Sequence, residues 1–331
     1  MTTILATPGV TRRGVVGGLL AAPVAGRAMA QARGFPNRPI RVILPTPPGG
    51  SADVVARILG GGMQEILGQP IVIEPRPGAG GLLASEYVAS QPPDGHVIGL
   101  SSLSGAVLNI AMQERQSFDI RRALTAVSII GLLPQVIVVN PALPVRTLAD
   151  LMELMRAQPG RITYASSGPG TVLHLGPHML ATRAGTTAEH VPYRGAGPAL
   201  QDVVSGNVNM MVEGVPSLLP FIRSGALRAL AICAPRRNPG LPEVPTAAEA
   251  GLPDFEVANW LAIFAAAATP RPVLKALEDG IRRAVRMEAV RNRLTEAGLD
   301  VVGSTSEEAE AYWDAQFRQW GPVVQATGAR G

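Results

Sequence analysis

From Ile40 onward, short β-branched and aliphatic runs alternate with longer stretches in which apolar residues recur every three or four positions. Arg41-Val42-Ile43-Leu44 reads as a buried strand that ends in the turn Pro45 to Gly50. Positions 52–67 then place Val55, Ile58, Leu59, Met63, Ile66 and Leu67 on one face of a helix. A strand at Ile71-Val72-Ile73, a helix over 82–89 and a strand over 96–100 follow. Such alternation predicts an α/β fold of right-handed βαβ units around a mainly parallel sheet.

Two uncharged strands, at 126–130 and 135–139, lead to Pro141 and a second cycle. Helices are predicted at 148–157, 172–182, 198–205 and 216–223, with strands at 162–165, 190–191, 208–213 and 227–233 between and after them. After a turn-rich stretch, 256–267 reads as a long apolar strand. Helices over 272–285 and 288–297, a short strand at 300–302 and a helix over 307–324 complete the chain. Terminal helices with no sheet of their own must pack on something already built. They are therefore assigned to the first lobe, which becomes discontinuous: residues 31–138 with 257–331. Residues 139–256 form the second lobe, with crossings near Val139 and Glu256.

Composition adds an export signal. Residues 1–30 contain Arg12, Arg13 and Arg27 and no acid, an uncharged run over 14–26 too short to span a bilayer, and Ala28-Met29-Ala30. That order of features outlines a signal peptide cleaved near residue 30, and the paired arginines point to the twin-arginine route and to the periplasm. The formal charge of +4 falls to about +1 without these three arginines, so no basic patch for nucleic acid is expected. Lys275 is the only lysine and Cys233 the only cysteine, which leaves no P-loop, disulfide or thiolate metal site. No cofactor is expected. The uncharged stretch 127–145 is broken by Pro134, Pro141 and Pro144, and 257–269 is too short, so no second membrane segment is expected.

Three turns share one chemical feature. Gly78-Ala79-Gly80, Gly168-Pro169-Gly170 and Gly195-Ala196-Gly197 each precede a helix, but Leu83, Leu173 and Leu200 replace the third glycine of a dinucleotide fingerprint. What survives is a set of helix starts with free amides and partial positive charge, suited to a carboxylate. Pro47-Pro48-Gly49-Gly50 supplies a fourth. Catalytic patterns are absent: there is no G-x-S-x-G, and His174 and His178 stand four apart with Leu175, not Glu, after the first. A non-enzymatic role follows. Aromatics make up only 4% of residues, which disfavours a sugar-stacking site.

The ordered motifs Arg38-Pro39-Ile40-Arg41, Pro47-Pro48-Gly49-Gly50-x-x-Asp53, Glu74-Pro75-Arg76-Pro77-Gly78-Ala79-Gly80-Gly81 and Pro92-x-Asp94-Gly95 continue through the second lobe. There Tyr164-Ala165-Ser166-x-Gly168-x-Gly170-x-x-x-His174-Leu175, His190-Val191-Pro192-Tyr193-Arg194-Gly195-x-Gly197-Pro198-Ala199 and Val244-Pro245-Thr246-x-x-Glu249-Ala250-Gly251 follow. From about Phe35 to the C-terminus, the chain resembles the Bug-type solute receptors of tripartite tricarboxylate transporters. The resemblance implies a two-lobed periplasmic binding protein of type II, the Venus flytrap. It also implies monomeric delivery of a small carboxylate to integral-membrane transporter subunits. The ligand classes implied are di- or tricarboxylates, acidic amino acids and aromatic acids. The turns implied to hold the ligand are 46–53 and 166–174, giving Thr46, Pro48, Gly49, Ser51, Ala52 and Asp53 from the first, and Ser166, Gly168, Gly170, Thr171 and His174 from the second. Ser102, Tyr193, Gly195, Gly197 and Glu213 complete the candidate set.

Several positions depart from the family pattern. Thr46 replaces an aromatic, Pro75 an asparagine, Thr171 a serine and His178 an acid, and Asn209 and Glu213 replace a usual pair of aspartates. Ligand identity therefore does not carry over. Competing readings are an exported hydrolase that uses His174 with a serine, and a receptor of the same fold that serves a membrane signalling partner. Intact-mass measurement of exported protein is expected to show a chain beginning close to Gln31 without lipid; retention of residues 1–30 would overturn the leader reading.

Overall fold

The computed structural model describes residues 34–111 and 118–326. The predicted leader, residues 1–30, lies outside them. Strand β1 (Ile40–Leu44) runs parallel to β2 (Ile71–Pro75) and β3 (Val97–Ser102). Helix α1 (Ser51–Leu67) connects β1 to β2 and buries Val55, Ile58, Leu59 and Met63, the apolar face expected from their spacing. Helix α2 (Leu82–Ser90) connects β2 to β3. A π-helical turn, Ser104–Leu108, follows β3 and was not anticipated, because Gly105-Ala106-Val107-Leu108 is apolar without helical periodicity.

The main departure from expectation is β4 (Leu124–Val139), a single strand of 16 residues where two were predicted. Its first part pairs antiparallel with β9 (Ala258–Ala266), from Leu124 opposite Ala266 to Pro134 opposite Ala258. Its last part, Gln135 to Val139, pairs with β7 (Met210–Gly214) and β8 (Arg228–Ile232). Pro134, which reads as a strand breaker in sequence, falls where the partners change, and so its missing N–H interrupts neither ladder's interior.

The second cycle hangs on the end of β4. Helix α3 (Leu148–Ala157) opens with a capping box in which Thr147 and Asp150 satisfy each other's amides. Then come β5 (Thr163–Ser166), α4 (Val172–Arg183), β6 (Glu189–Pro192), α5 (Ala196–Val204), β7 and α6 (Val215–Arg223). Strand β5 is parallel to β6 and β7. The order across the sheet is β2-β1-β3-β9-β4-β7-β5-β6, with β8 and β10 (Asp300–Val301) also paired to β4. Parallel pairing, predicted from the strand–helix alternation, holds at both ends, and β9 and β4 between them are antiparallel, so the sheet is mixed.

Helices α7 (Arg271–Arg286) and α8 (Glu288–Glu296) pack on α1, and α9 (Ser306–Ala326) packs on β4. The chain's end therefore covers its beginning. Among the described residues, no helix is long and apolar enough to cross a membrane. Trp313 of α9 is fully buried, edge-on to Phe264 at 4.7 Å, and donates from Nε1 to the Ala106 carbonyl at 3.1 Å. The Arg121 guanidinium lies 3.9 Å from its ring centroid. Trp313→Ala is expected to destabilise the fold by about 3–5 kcal/mol, read as a lower midpoint in chemical denaturation; a change under about 1 kcal/mol would mean that α9 docks without this anchor.

Candidate functional site

Where β4 exchanges partners, the loops at the strand ends surround a cavity of about 520 Å³. Leu133 of β4 and Asn259 and Leu261 of β9 contribute from the strands that join the two halves of the sheet. Asn259 accepts from the Leu103 and Trp260 amides at 3.0 and 2.9 Å, which ties the end of β3 to β9. The walls come from turns: Pro45, Thr46 and Pro47 after β1, Pro77, Gly78, Gly80 and Gly81 after β2, Ser167, Gly168 and Thr171 after β5, and Tyr193 to Ala196 after β6.

Four helix starts meet at this cavity. Gly50, Ser51 and Ala52 open α1, Gly81 caps α2, Thr171 caps α4, and Gly195 caps α5. The first amides of a helix have no intrahelical acceptor and carry partial positive charge, so the convergence makes an anion site without a buried cation. The charged residues that line the cavity are Arg194, which is exposed, and Glu213, which is 4% exposed. Thr46 Oγ1 is buried and has no hydrogen-bond partner in the protein.

Contacts across the cavity mouth are made by small groups. Gly195, at φ 126°, faces Pro47: a Cβ there would lie 2.4 Å from the Pro47 ring. A Cβ on Gly197 would lie 2.6 Å from the Pro48 carbonyl oxygen. These glycines were expected to let a ligand approach helix amides; the structure shows that they also let the two turns meet. Two polar contacts reinforce the meeting. Ser51 Oγ donates to Glu213 Oε1 at 2.7 Å, and the Val172 amide of α4 donates to Ser104 Oγ at 3.0 Å.

Behind the turn after β5 stand two stacked imidazoles. His174 and His190 lie 4.2 Å apart between centroids, and Tyr164 stacks on His190 at 5.0 Å. The Gly170 amide donates to His174 Nδ1 at 3.1 Å, which requires that nitrogen to be unprotonated. Ser166 Oγ lies 2.6 Å from His190 Nε2 and accepts from the Gly168 amide at 3.1 Å. Burial, then the neighbouring His190 and His178, push the His174 imidazole down to about 4. Burial lowers His190 as well, against the raising effect of Glu189. The pair is thus a neutral brace for the loop that carries Gly168 and Thr171.

Of the sequence-predicted site residues, Thr46, Ser51, Ala52, Ser102, Gly168, Thr171, Tyr193, Gly195 and Glu213 line the cavity. Pro48, Gly49, Asp53, Ser166, Gly170, His174 and Gly197 lie outside the lining, and most of them support it. Asp53 accepts from the Gly49 amide at 3.2 Å and pairs with Arg57 at 2.9 Å, so its charge holds the first turn in place. His174, named with the turn expected to hold the ligand, lies outside the lining, and its Nδ1 accepts from the Gly170 amide of that turn. Tyr193 donates to Asp202, and burial and that bond raise the phenol to about 12. Sequence reasoning missed Ser104, Gly105, Leu133, Asn259 and Leu261, which reach the cavity only through the unanticipated turn after β3 and the continuity of β4 with β9.

Catalytic chemistry finds little support in this geometry. Ser166 and His190 form the nearest serine–histidine pair, but Ser166 is fully buried, outside the cavity lining, and already hydrogen-bonded to the Gly168 amide. Among the described residues, no group of three or more His, Cys, Asp or Glu could hold a metal ion.

The family described as tripartite tricarboxylate transporter family receptor matches residues 55–329. Protein BugT of Bordetella pertussis (strain Tohama I) is 35% identical over 322 residues, which cover 97% of this chain and 99% of BugT. An R. palustris protein solved with adipate is 29% identical and superposes with a TM-score of 0.86, covering 89% of this chain and 99% of that one. MatC from Rhodopseudomonas palustris, solved with bound malate, is 32% identical with a TM-score of 0.81, over 88% of this chain and 100% of MatC. The fold is the two-lobed α/β architecture of periplasmic binding proteins.

The histidine brace sets a pH dependence of stability. The folded value of His174 lies near 4, below the unfolded value of about 6.5, so the unfolded chain takes up protons first as pH falls. Stability is therefore expected to be lost between about pH 6.5 and 4, and His174→Asn, which keeps an acceptor but does not titrate, is expected to flatten that loss in denaturation series at several pH values. Parallel curves for the two proteins would remove His174 as the cause.

Proposed function

This chain belongs to the tripartite tricarboxylate transporter receptor family, and from that membership and its cavity we propose an exported receptor that captures a small carboxylate and delivers it to integral-membrane transporter subunits. The observation that carries the proposal is the convergence of four helix starts on one cavity in which, among the described residues, the lining cation is the exposed Arg194. Amides fixed by backbone geometry favour an anion of a size to be enclosed, and they do so without the desolvation cost of a buried arginine. Adipate and malate in the structural relatives support the same ligand class. In this reading the ligand leaves unchanged, as the receptor family to which the chain belongs implies.

In this reading the lobes are residues 31–138 with 257–331, and residues 139–256, joined by a crossing in β4 and another ahead of β9. Ligand contacts come from Thr46, Ser51, Ala52, Ser102, Gly168, Thr171, Tyr193, Gly195 and Glu213. Thr46 Oγ1 is a specific point of contact, because an unpaired buried hydroxyl costs about 1–3 kcal/mol that a ligand group recovers. Pro48, Gly49, Asp53, Ser166, Gly170, His174 and Gly197 hold the turns in place.

A panel of carboxylates that includes adipate and malate, tested on protein stripped of co-purified ligand, is expected to contain a compound that stabilises the fold by about 2.7 kcal/mol at a hundredfold excess over its Kd. Small-angle scattering should show compaction with that compound; binding without compaction would overturn closure. Gly197→Val puts side-chain atoms against the Pro48 carbonyl and is expected to weaken binding by about tenfold or more, because overpacking of this kind costs about 1–3 kcal/mol. Unchanged affinity would show that the two turns need not meet.

A further inference from the structure

Glu213 ends β7, lines the cavity and is 4% exposed. Its neighbours are the hydroxyls of Ser51 and Ser217 and the helix starts of α1 and α6, and among the described residues no cation is hydrogen-bonded or ion-paired to it. The charged groups on the helices around it are Asp53, held by Arg57, and the exposed Glu65 on α1, and the exposed Arg223 on α6; the exposed Arg194 stands ahead of α5. An acid thus stands in the wall of a cavity that the preceding reading assigns to a carboxylate. Two carboxylates in one enclosed site cannot both remain ionised without a cation between them, and one of the two must hold a proton.

Resting on that carboxylate reading, we infer that ligand capture is coupled to the uptake of one proton from solvent onto the Glu213 carboxyl. The cavity then closes around the ligand's own charge with none added by the protein, and the protonated carboxyl becomes a hydrogen-bond donor toward the ligand, where the ionised one could only repel it. The free protein is already biased this way: burial pushes the Glu213 carboxyl up, against the lowering effect of the bonds from Ser51, Gly214 and Ser217. Ser51 Oγ has one hydrogen to share among Glu213 Oε1, the Gly214 carbonyl and Ser217 Oγ, which limits what that hydroxyl contributes to holding the charge. Capture is therefore strongest in mildly acidic surroundings and weakens as pH rises.

Calorimetry with adipate and with malate, repeated in buffers of different ionisation enthalpy between about pH 6 and 8.5, reads the proton count directly. Uptake approaching one proton per ligand is expected at the upper end of the range, with affinity falling by up to about tenfold per pH unit. Glu213→Gln, which mimics the protonated acid, is expected to abolish the uptake and flatten the pH dependence. Binding without uptake at any pH, or uptake that persists in Glu213→Gln, overturns the coupling and leaves the carboxylate reading standing. Failure of every acid in the panel to bind sinks the carboxylate reading and the coupling with it. Should the variant not fold, carbon NMR of the Glu213 carboxyl in the native protein decides the matter: titration near the ordinary value of about 4.3, with and without ligand, overturns the proposal.

Discussion

Strand β4 is the constraint on which the rest of the molecule depends. Its ladder to β9 brings the distant end of the chain into the first half of the sheet, and its ladders to β7 and β8 suspend the second half. Both halves hold the same backbone, so their separation cannot grow without breaking or bending that strand. The cavity forms where the partners change: Leu133 stands opposite Asn259, and two residues later Gln135 stands opposite Gly214. In open α/β sheets ligands collect outside the carboxyl ends of the parallel strands, and the turns after β1, β2, β5 and β6 that wall this cavity leave from such ends.

The electrostatics follow from the same arrangement. Loops leaving strand ends on both sides deliver helix starts to one place, and each start contributes oriented amides whose direction is fixed by the fold. Helix starts arranged this way favour negative charge without a buried guanidinium, whose desolvation would have to be offset whenever such a site stood empty. The neutral His174 and His190 are consistent with that design. They brace the turn after β5 through a ring nitrogen that accepts an amide, and their charge stays out of the field the ligand meets.

Much of this was legible in the chain. The helical face of α1 and the extent of α3 follow from spacing and capping residues, and the turns rich in glycine and proline mark four of the cavity walls. What escaped was non-local. Pro134 reads as a break, because local reasoning has no means of knowing that the strand changes partners at that residue. Leu133, Asn259 and Leu261 look like ordinary strand residues and become cavity residues only through pairing between segments more than a hundred positions apart. His174 carried a motif and a helix-start position; the side of the loop on which its ring would sit was not encoded in either.

The turns that meet across the cavity mouth do so as glycine against proline: Gly195 against the Pro47 ring, Gly197 against the Pro48 carbonyl. The seal is made of backbone and of side chains that are missing, while the chemical character of the interior resides in other positions such as Thr46, Leu133 and Leu173. Most of the interior side chains are thereby independent of the contacts that bring the turns together, Gly195 being the residue that belongs to both. Mutation can exchange the interior residues without reworking the rim, so the scaffold leaves what the cavity holds free to diverge while its turns keep meeting.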